Sequence, residues 1–437
     1  MQENRNAVLI VLDTLREDFS GGLEALKELG FVKYENAVAT SPWTLPSHVS
    51  MFTGELPSSH RVHESEGVHM SNIAQRSRSM LADSKSNVLA AMKSKGYATY
   101  CHTCNPFVTP AFGFDFHAHH EYRSLVEMTN VRELLGSQTS LSSKGTALLR
   151  RGEFALLARL LWRKAARRAY TALGRPVGDK GSAMALSRLK DEAHAEPFFL
   201  YLNIMEAHEP YRWGEPMDVT RLSILGGAVR DPGWKARYGR HASLAVGRCM
   251  DAVQALMKHD PLVVVTSDHG QLLGEGGRYG HGFFLDGELL RAPLYVRYPS
   301  GMDPVPQEGE YVSLKEVRTI IAAALGPAPA GIGSDTAMAE SFGPHVDLTP
   351  YLGAGDDGAL GRLYATRRRV FGRGGSVVYN SATGATDEAS AGISEDEARA
   401  LAAAASQVEE APAPPAGEMT SSEEAELKER LSKLGYE

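Results

Sequence analysis

The chain has 437 residues, 43% of them hydrophobic, which is enough for a substantial core and excludes disorder throughout. Its formal net charge of −7 is too mild for a nucleic-acid binder or an acidic solvating protein. The three cysteines, Cys101, Cys104 and Cys249, are too few for a disulfide framework, so a reducing, cytoplasmic setting is expected.

A polar start is followed by the apolar run 7–12 (AVLIVL), shorter than the roughly 7 to 15 residues of a secretory core segment. No run reaches the roughly 20 apolar residues that span a bilayer, so the expectation is a soluble protein without an export signal. The first run breaks at Asp13, a second, 197–204 (PFFLYLNI), breaks before Glu206 and His208, and a third, 262–266 (LVVVT), breaks at Ser267-Asp268-His269. Unbroken apolar runs of this length read as parallel strands covered on both faces. Residues 86–95 and 242–258 carry helical patterns between them, so the order strand, helix, strand predicts an α/β sheet with helices on both faces. Ligands of such sheets bind at the carboxyl ends of the strands, where these Asp and His residues fall.

The segment 41–54, SPWTLPSHVSMFTG, places Thr44 two residues before Pro46, a residue favoured in a first helical turn. Thr44 there either caps the helix or sits with its hydroxyl beside free N–H groups able to hold an oxyanion. Asp13, Asp268 and His269 can bind a divalent cation, with the Thr44 oxygen as a further ligand, and such a cation turns a hydroxyl into a nucleophile at neutral pH. His48 lies one helical turn beyond Thr44, within reach of a leaving group or ligand oxygen; His208 and His281 stand in polar loops. Cys101 and Cys104 form a C-x-x-C that reads as buried thiols, because neither a second pair nor a redox helix follows. The glycine-rich loop 274–277 lacks a P-loop lysine and reads as a bend.

Residues 150–168 hold seven basic side chains against the single acid Glu153. Leu156, Leu157, Leu160 and Leu161 lie on one helical face and Arg159, Arg163 and Arg167 on another, a basic amphipathic helix that either docks by its leucines or rests on an anionic membrane surface. Residues 326–331 read as a loop, 363–370 and 376–379 as a hairpin, and 411–417 (APAPPAG) as a Pro-rich linker. A capping box at Ser421 and Glu424 then opens a terminal helix over 421–434. The expected division is 1–330, with a basic helical insertion at about 123–190, and a smaller region 331–437.

The segments VLIVLDTLREDF, SPWTLPSHVSMFTGELPSSHRV, GYATYCHTCNPFV, FFLYLNIMEAHEPY, VVVTSDHGQLLGEGGRYGHG and LLRAPLYVRYP, in that order, resemble the sulfatase family (arylsulfatase-like) of the alkaline phosphatase superfamily. The resemblance implies an alkaline-phosphatase-like α/β/α sandwich around a large mixed, mostly parallel sheet, with a smaller C-terminal α+β domain. It also implies metal-assisted attack on a sulfate or phosphate ester of a glycan, lipid or small molecule. Asp13, Asp268 and His269 take metal-ligand places, Thr44 the nucleophile place, and His208 and His281 substrate-contact places. Asn105, Arg278 and Arg291 are further candidates for holding the anion. The family motif C/S-x-P-S-R here reads Thr44-Leu45-Pro46-Ser47-His48, so no formylglycine is expected and the chain resembles a Thr-nucleophile variant. Thr14 replaces a common second Asp, which leaves calcium, zinc and manganese open as the metal. The implied activity is that of a sulfuric or phosphoric ester hydrolase, phosphatase or phosphodiesterase included. The alternatives are a phospho-group transferase of the phosphoethanolamine- or phosphoglycerol-transferase kind, and a catalytically silent protein that binds an anionic glycan or lipid.

Overall fold

A computed structural model of the chain describes residues 5–122, 177–346 and 363–412, apart from 66–67, 83–86, 193, 214–218 and 228–230, with a few isolated positions beyond them. The basic helix expected over 150–168, most of the linker 411–417 and the terminal helix expected over 421–434 lie outside the described residues.

Seven strands form the main sheet: β1 (Ala7–Leu12), β2 (Phe31–Lys33), β3 (Ala98–Thr103), β4 (Ala118–Glu121), β5 (Phe198–Ile204), β6 (Leu262–Thr266) and β7 (Leu294–Arg297). Their order is β2-β7-β6-β1-β5-β3-β4, and only β7 runs against its neighbours. The apolar run of β1 divides between two cores. Leu9 and Val11 pack on one side with Val49, Phe52 and Ile320, while Val8, Ile10 and Leu12 pack on the other with Leu186, Ala245 and Cys249. Period-two alternation is therefore present but hidden, because helices cover both faces. The helix Val88–Ser94 covers the first face and the helix Trp234–Leu256 the second, close to the 86–95 and 242–258 patterns of the sequence.

A smaller antiparallel sheet follows, β8 (Ala337–Ser341), β9 (Arg367–Gly372), β10 (Gly375–Asn380) and β11 (Ala385–Ala389), in sequential order. The expected hairpin is β9–β10, but its first strand begins at Arg367, four residues after the apolar Leu363. The helix Glu395–Ser406, opened by a Ser394 side-chain cap, lays Leu401 and Ala405 on Val370 and Val377. The small sheet is bonded to the body where Glu340 N donates to Thr40 O at 2.9 Å and Ser58 N to the Glu340 carboxylate at 2.7 Å. All three cysteines are buried, and none is in a disulfide. No helix among the described residues is long and apolar enough to cross a membrane.

The helix Thr44–Thr53 and the segment after it bury three imidazoles. Burial pushes His48 down to about 4, and His60 and His63 to about 3, from an ordinary 6.5. Going from pH 7 to pH 5 protonates them in the unfolded chain only, so each lowers stability by about 2 kcal/mol. Glu64 acts in the opposite sense, because burial lifts its carboxyl to about 8 and the folded chain takes up that proton first. The four groups together should remove about 3 kcal/mol over that range, as the pH falls from about 6.5, read as a lower urea midpoint at pH 5 than at pH 7.

Candidate active site

Asp13 follows β1, Asp268 and His269 follow β6, His208 follows β5 and Asn105 follows β3, so the carboxyl ends of four neighbouring strands deliver them to one place. Ligand atoms of Asp13, Asp268 and His269 lie within 4.8 Å of one another, and all three residues are fully buried. Each carboxylate is held by one oxygen. Asp13 Oδ2 accepts from Asn105 Nδ2 at 2.6 Å and Asn203 Nδ2 at 3.3 Å, and Asp268 Oδ1 accepts the backbone N–H groups of Thr14 and His269 at 3.1 and 3.0 Å. The other oxygens, Asp13 Oδ1 and Asp268 Oδ2, are buried without a hydrogen bond. Burial first, and then the neighbouring Asp268, push the Asp13 carboxyl above its usual range.

His269 Nδ1–H donates to the Gly270 carbonyl at 2.9 Å, which leaves the Nε2 lone pair facing Asp268 Oδ2 and Thr44 Oγ1, both at 3.4 Å. Two orphaned carboxylate oxygens, an imidazole lone pair and a hydroxyl converging in a buried pocket fit a divalent cation, and they supply the donors that zinc or manganese prefers. Thr14, beside Asp13, has φ of +58°, an uncommon state for a β-branched residue; its N–H reaches Asp268 and its carbonyl takes the Tyr238 hydroxyl at 2.8 Å.

Thr44 is the first residue of the helix Thr44–Thr53, with Trp43 in the capping position. Its hydroxyl therefore does not cap the helix but turns toward His269, and the N–H groups of Thr44 and Leu45 have no intrahelical acceptor. Ser47 Oγ, one turn on, donates to the Asp268 carbonyl at 2.7 Å and fixes the helix start against the β6 loop.

Around this cluster stands a row of imidazoles. His281 lies 4.9 Å from both His269 and His208 by ring centroids, and 5.1 Å from His345. His281 Nδ1–H donates to Gln271 Oε1 at 2.7 Å, and Gln271 Nε2 donates to Glu209 Oε2 at 2.5 Å. Burial opposes a charge on His208, but the Glu209 and Asp13 carboxylates outweigh it and raise its pKa. Burial drives His281 the other way, with His269 and His208 adding to it. His208, Glu209 and His281 form a second tight group.

The structure thus brings Asp13, Thr44, Asp268, His269, Asn105, His208 and His281 together, and treats three other candidates differently. His48 is fully buried with both nitrogens engaged: Nδ1–H donates to the Thr44 carbonyl at 2.9 Å and Nε2 accepts from the Tyr201 hydroxyl at 2.8 Å. The helical spacing that was to aim it at a ligand aims it at its own backbone, so His48 positions the Thr44 turn. Arg278 pairs with Asp286 and lies over Phe284. Arg291 bonds Asn36 and stacks between Tyr311 and Phe371. Neither arginine joins the cluster. Sequence reasoning missed Glu209, Gln271, Asn203 and His345. The first three adjoin or lie within the strands and motifs that flagged the site, whereas no pattern marks His345.

A mostly parallel sheet that carries this cluster at its carboxyl ends is an alkaline-phosphatase-like fold. The sulfatase family profile matches residues 5–327, and the chain belongs to the sulfatase family. Among solved structures, it resembles a phosphonate monoester hydrolase from Silicibacter pomeroyi at 15% identity and TM-score 0.56, over 92% of this chain and 94% of that one. A second phosphonate monoester hydrolase, from Agrobacterium radiobacter, aligns at 16% identity and TM-score 0.54 over 86% and 87% of the two chains. A putative sulfatase from Bacteroides thetaiotaomicron aligns at 12% identity and TM-score 0.54, over 89% and 85%. At these identities the likeness is one of fold. No curated protein matches the chain in sequence.

Gly270 ties the site to the fold, because a Cβ there would stand 2.1 Å from the Glu288 carbonyl oxygen. Gly270→Ala should displace the Asp268-His269 turn and lower stability by about 2 kcal/mol or more, read as a fall in Tm by calorimetry.

Proposed function

We propose that the protein is a metal-dependent ester hydrolase that uses the Thr44 hydroxyl as its nucleophile, with phosphonate monoesters and phosphodiesters ahead of sulfate esters as substrates. The observation that carries this is the pair of buried, unbonded oxygens, Asp13 Oδ1 and Asp268 Oδ2, converging with His269 Nε2 on the Thr44 hydroxyl. These residues would hold the cation, which supplies a lowered hydroxyl pKa and positive charge against the anionic ester.

Thr44 Oγ1, as the alkoxide left once its proton has gone to solvent, attacks the phosphorus, and the bond to the leaving oxygen breaks as the new one forms. The free N–H groups at the helix start stabilise the negative oxygens in that transition state. His208, whose pKa the Glu209 and Asp13 carboxylates raise, gives its proton to the leaving oxygen. Deprotonated, it then takes a proton from the water that cleaves the Thr44 ester. His281, held by Gln271 through Nδ1–H, packs between His208 and His269 and walls the pocket that receives the ester. A threonine ester has no aldehyde hydrate to collapse, so its release requires this water attack at the central atom. That requirement favours phosphorus over sulfur; the fold itself is shared with phosphonate monoester hydrolases and with sulfatases alike.

Steady-state assays with 4-nitrophenyl esters of phenylphosphonate, phosphate, a phosphodiester and sulfate test the order of substrates. Thr44→Ala should lose about a thousandfold or more in kcat with every ester, and chelation should abolish turnover. Full activity in Thr44→Ala removes the nucleophile assignment, and a higher kcat/KM with sulfate than with any phospho-ester reverses the substrate order.

A further inference from the structure

A second group of metal-binding side chains lies away from the catalytic cluster, at the edge of the main sheet. His102 on β3 and His120 on the edge strand β4 are register partners in a parallel pair, so both project from the same face. The helix Ser182–Asp191 packs on that face through Ala185, Leu186 and Leu189. At its end Glu192 and His194 turn back toward the two histidines.

Ligand atoms of His102, Glu192 and His194 lie within 4.8 Å of one another. His102 Nε2 is 3.2 Å from Glu192 Oε2, and His120 Nε2 is 3.4 Å from Glu192 Oε1. Two ligands of a tetrahedral zinc ion with bonds of about 2.0 Å stand about 3.3 Å apart, so the His102–Glu192 spacing matches an edge of such a polyhedron, while His120 faces the other carboxylate oxygen. His102 Nε2, His120 Nε2, His194 Nε2 and Glu192 Oε2 are all buried, and none makes a hydrogen bond. Four orphaned buried atoms in one cluster are costly unless something binds them. His102 Nδ1 and the Tyr122 hydroxyl share a hydrogen bond at 2.9 Å, which orients the ring with Nε2 facing Glu192 and inward. Burial, with neighbouring His120 and His194 adding to it, pushes His102 down to about 3, so it is a neutral ligand at pH 7. Arg188 reaches the outer oxygen of Glu192 at 3.8 Å, from a half-exposed position.

We propose that His102, His120, Glu192 and His194 form a second, structural metal site for a divalent ion of the zinc class, clamping the edge strand β4 to the loop that feeds β5. Three imidazoles and one carboxylate select zinc or its neighbours over calcium or magnesium, and four protein ligands close the site to substrate.

The test measures zinc per chain in full-length protein by elemental analysis after dialysis against zinc chloride and then metal-free buffer. A variant carrying Asp13→Asn and Asp268→Asn, which lacks both catalytic carboxylates, should retain one zinc per chain, and added zinc should raise its Tm. Adding His120→Gln and His194→Gln should abolish both effects while circular dichroism stays that of the parent. His194→Gln alone, at a partly exposed position, should weaken zinc binding at least tenfold in a chelator competition, and in the otherwise native chain it should leave ester hydrolysis unchanged. No zinc in the Asp13, Asp268 variant, or one equivalent retained after both histidines are replaced, overturns the proposal. Neither result bears on the Thr44 assignment, because no residue is shared.

Discussion

Asp13 and Asp268 are two carboxylates placed side by side out of water, and their mutual repulsion is the constraint around which the fold is arranged. Each is anchored through a single oxygen, one by two asparagine amides and the other by two backbone N–H groups. The anchors neutralise half of each group and direct the remaining oxygens to a common point. The positive end of the Thr44–Thr53 helix faces the same point and offsets the repulsion further. Thr14 holds a backbone conformation uncommon for its residue type, and its N–H is one of the anchors. Local strain and electrostatic support thus meet at one residue, Thr14, directly after Asp13.

The division between what was legible in the sequence and what was not follows physical lines. Runs such as AVLIVL and LVVVT announce their strands because a strand buried on both faces has no room for a polar residue. The first polar residue after each run is then conspicuous, and that made Asp13, Asp268 and His269 visible. Thr44 was visible through Pro46. Tyr201 was hidden because an aromatic residue in an apolar strand reads as core, although its hydroxyl holds His48. Arg278 and Arg291 misled because a basic side chain in a loop looks available to an anion. Contacts made at a distance in sequence, with Asp286, Asn36, Tyr311 and Phe371, are what occupy them. His102, His120, Glu192 and His194 had no motif to betray them, since their spacing depends on strand pairing and on where one helix ends.

The two clusters differ in what surrounds them. The catalytic group opens toward partly exposed His208 and a hydroxyl at a helix start, and its supporting hydrogen bonds leave acceptor atoms aimed at a ligand. The edge group is enclosed between a strand pair and a helix end, and it lies where a sheet is most exposed to fraying or to pairing with another chain. The proposed reactive site and the proposed edge metal site are built on the same sheet, four strand positions apart at most, with no shared side chain.

His345 stacks on His281 and on Trp43, the residue just before Thr44. It comes from the stretch between β8 and β9, long after the last strand of the main sheet has been completed. During synthesis, every other imidazole of the row leaves the ribosome earlier, so the pocket acquires its final wall only when the small sheet begins to form. The pocket is in this way closed by a segment that follows the whole main sheet in the chain, and a chain released before it would carry Asp13, Asp268 and Thr44 without the surface that confines them.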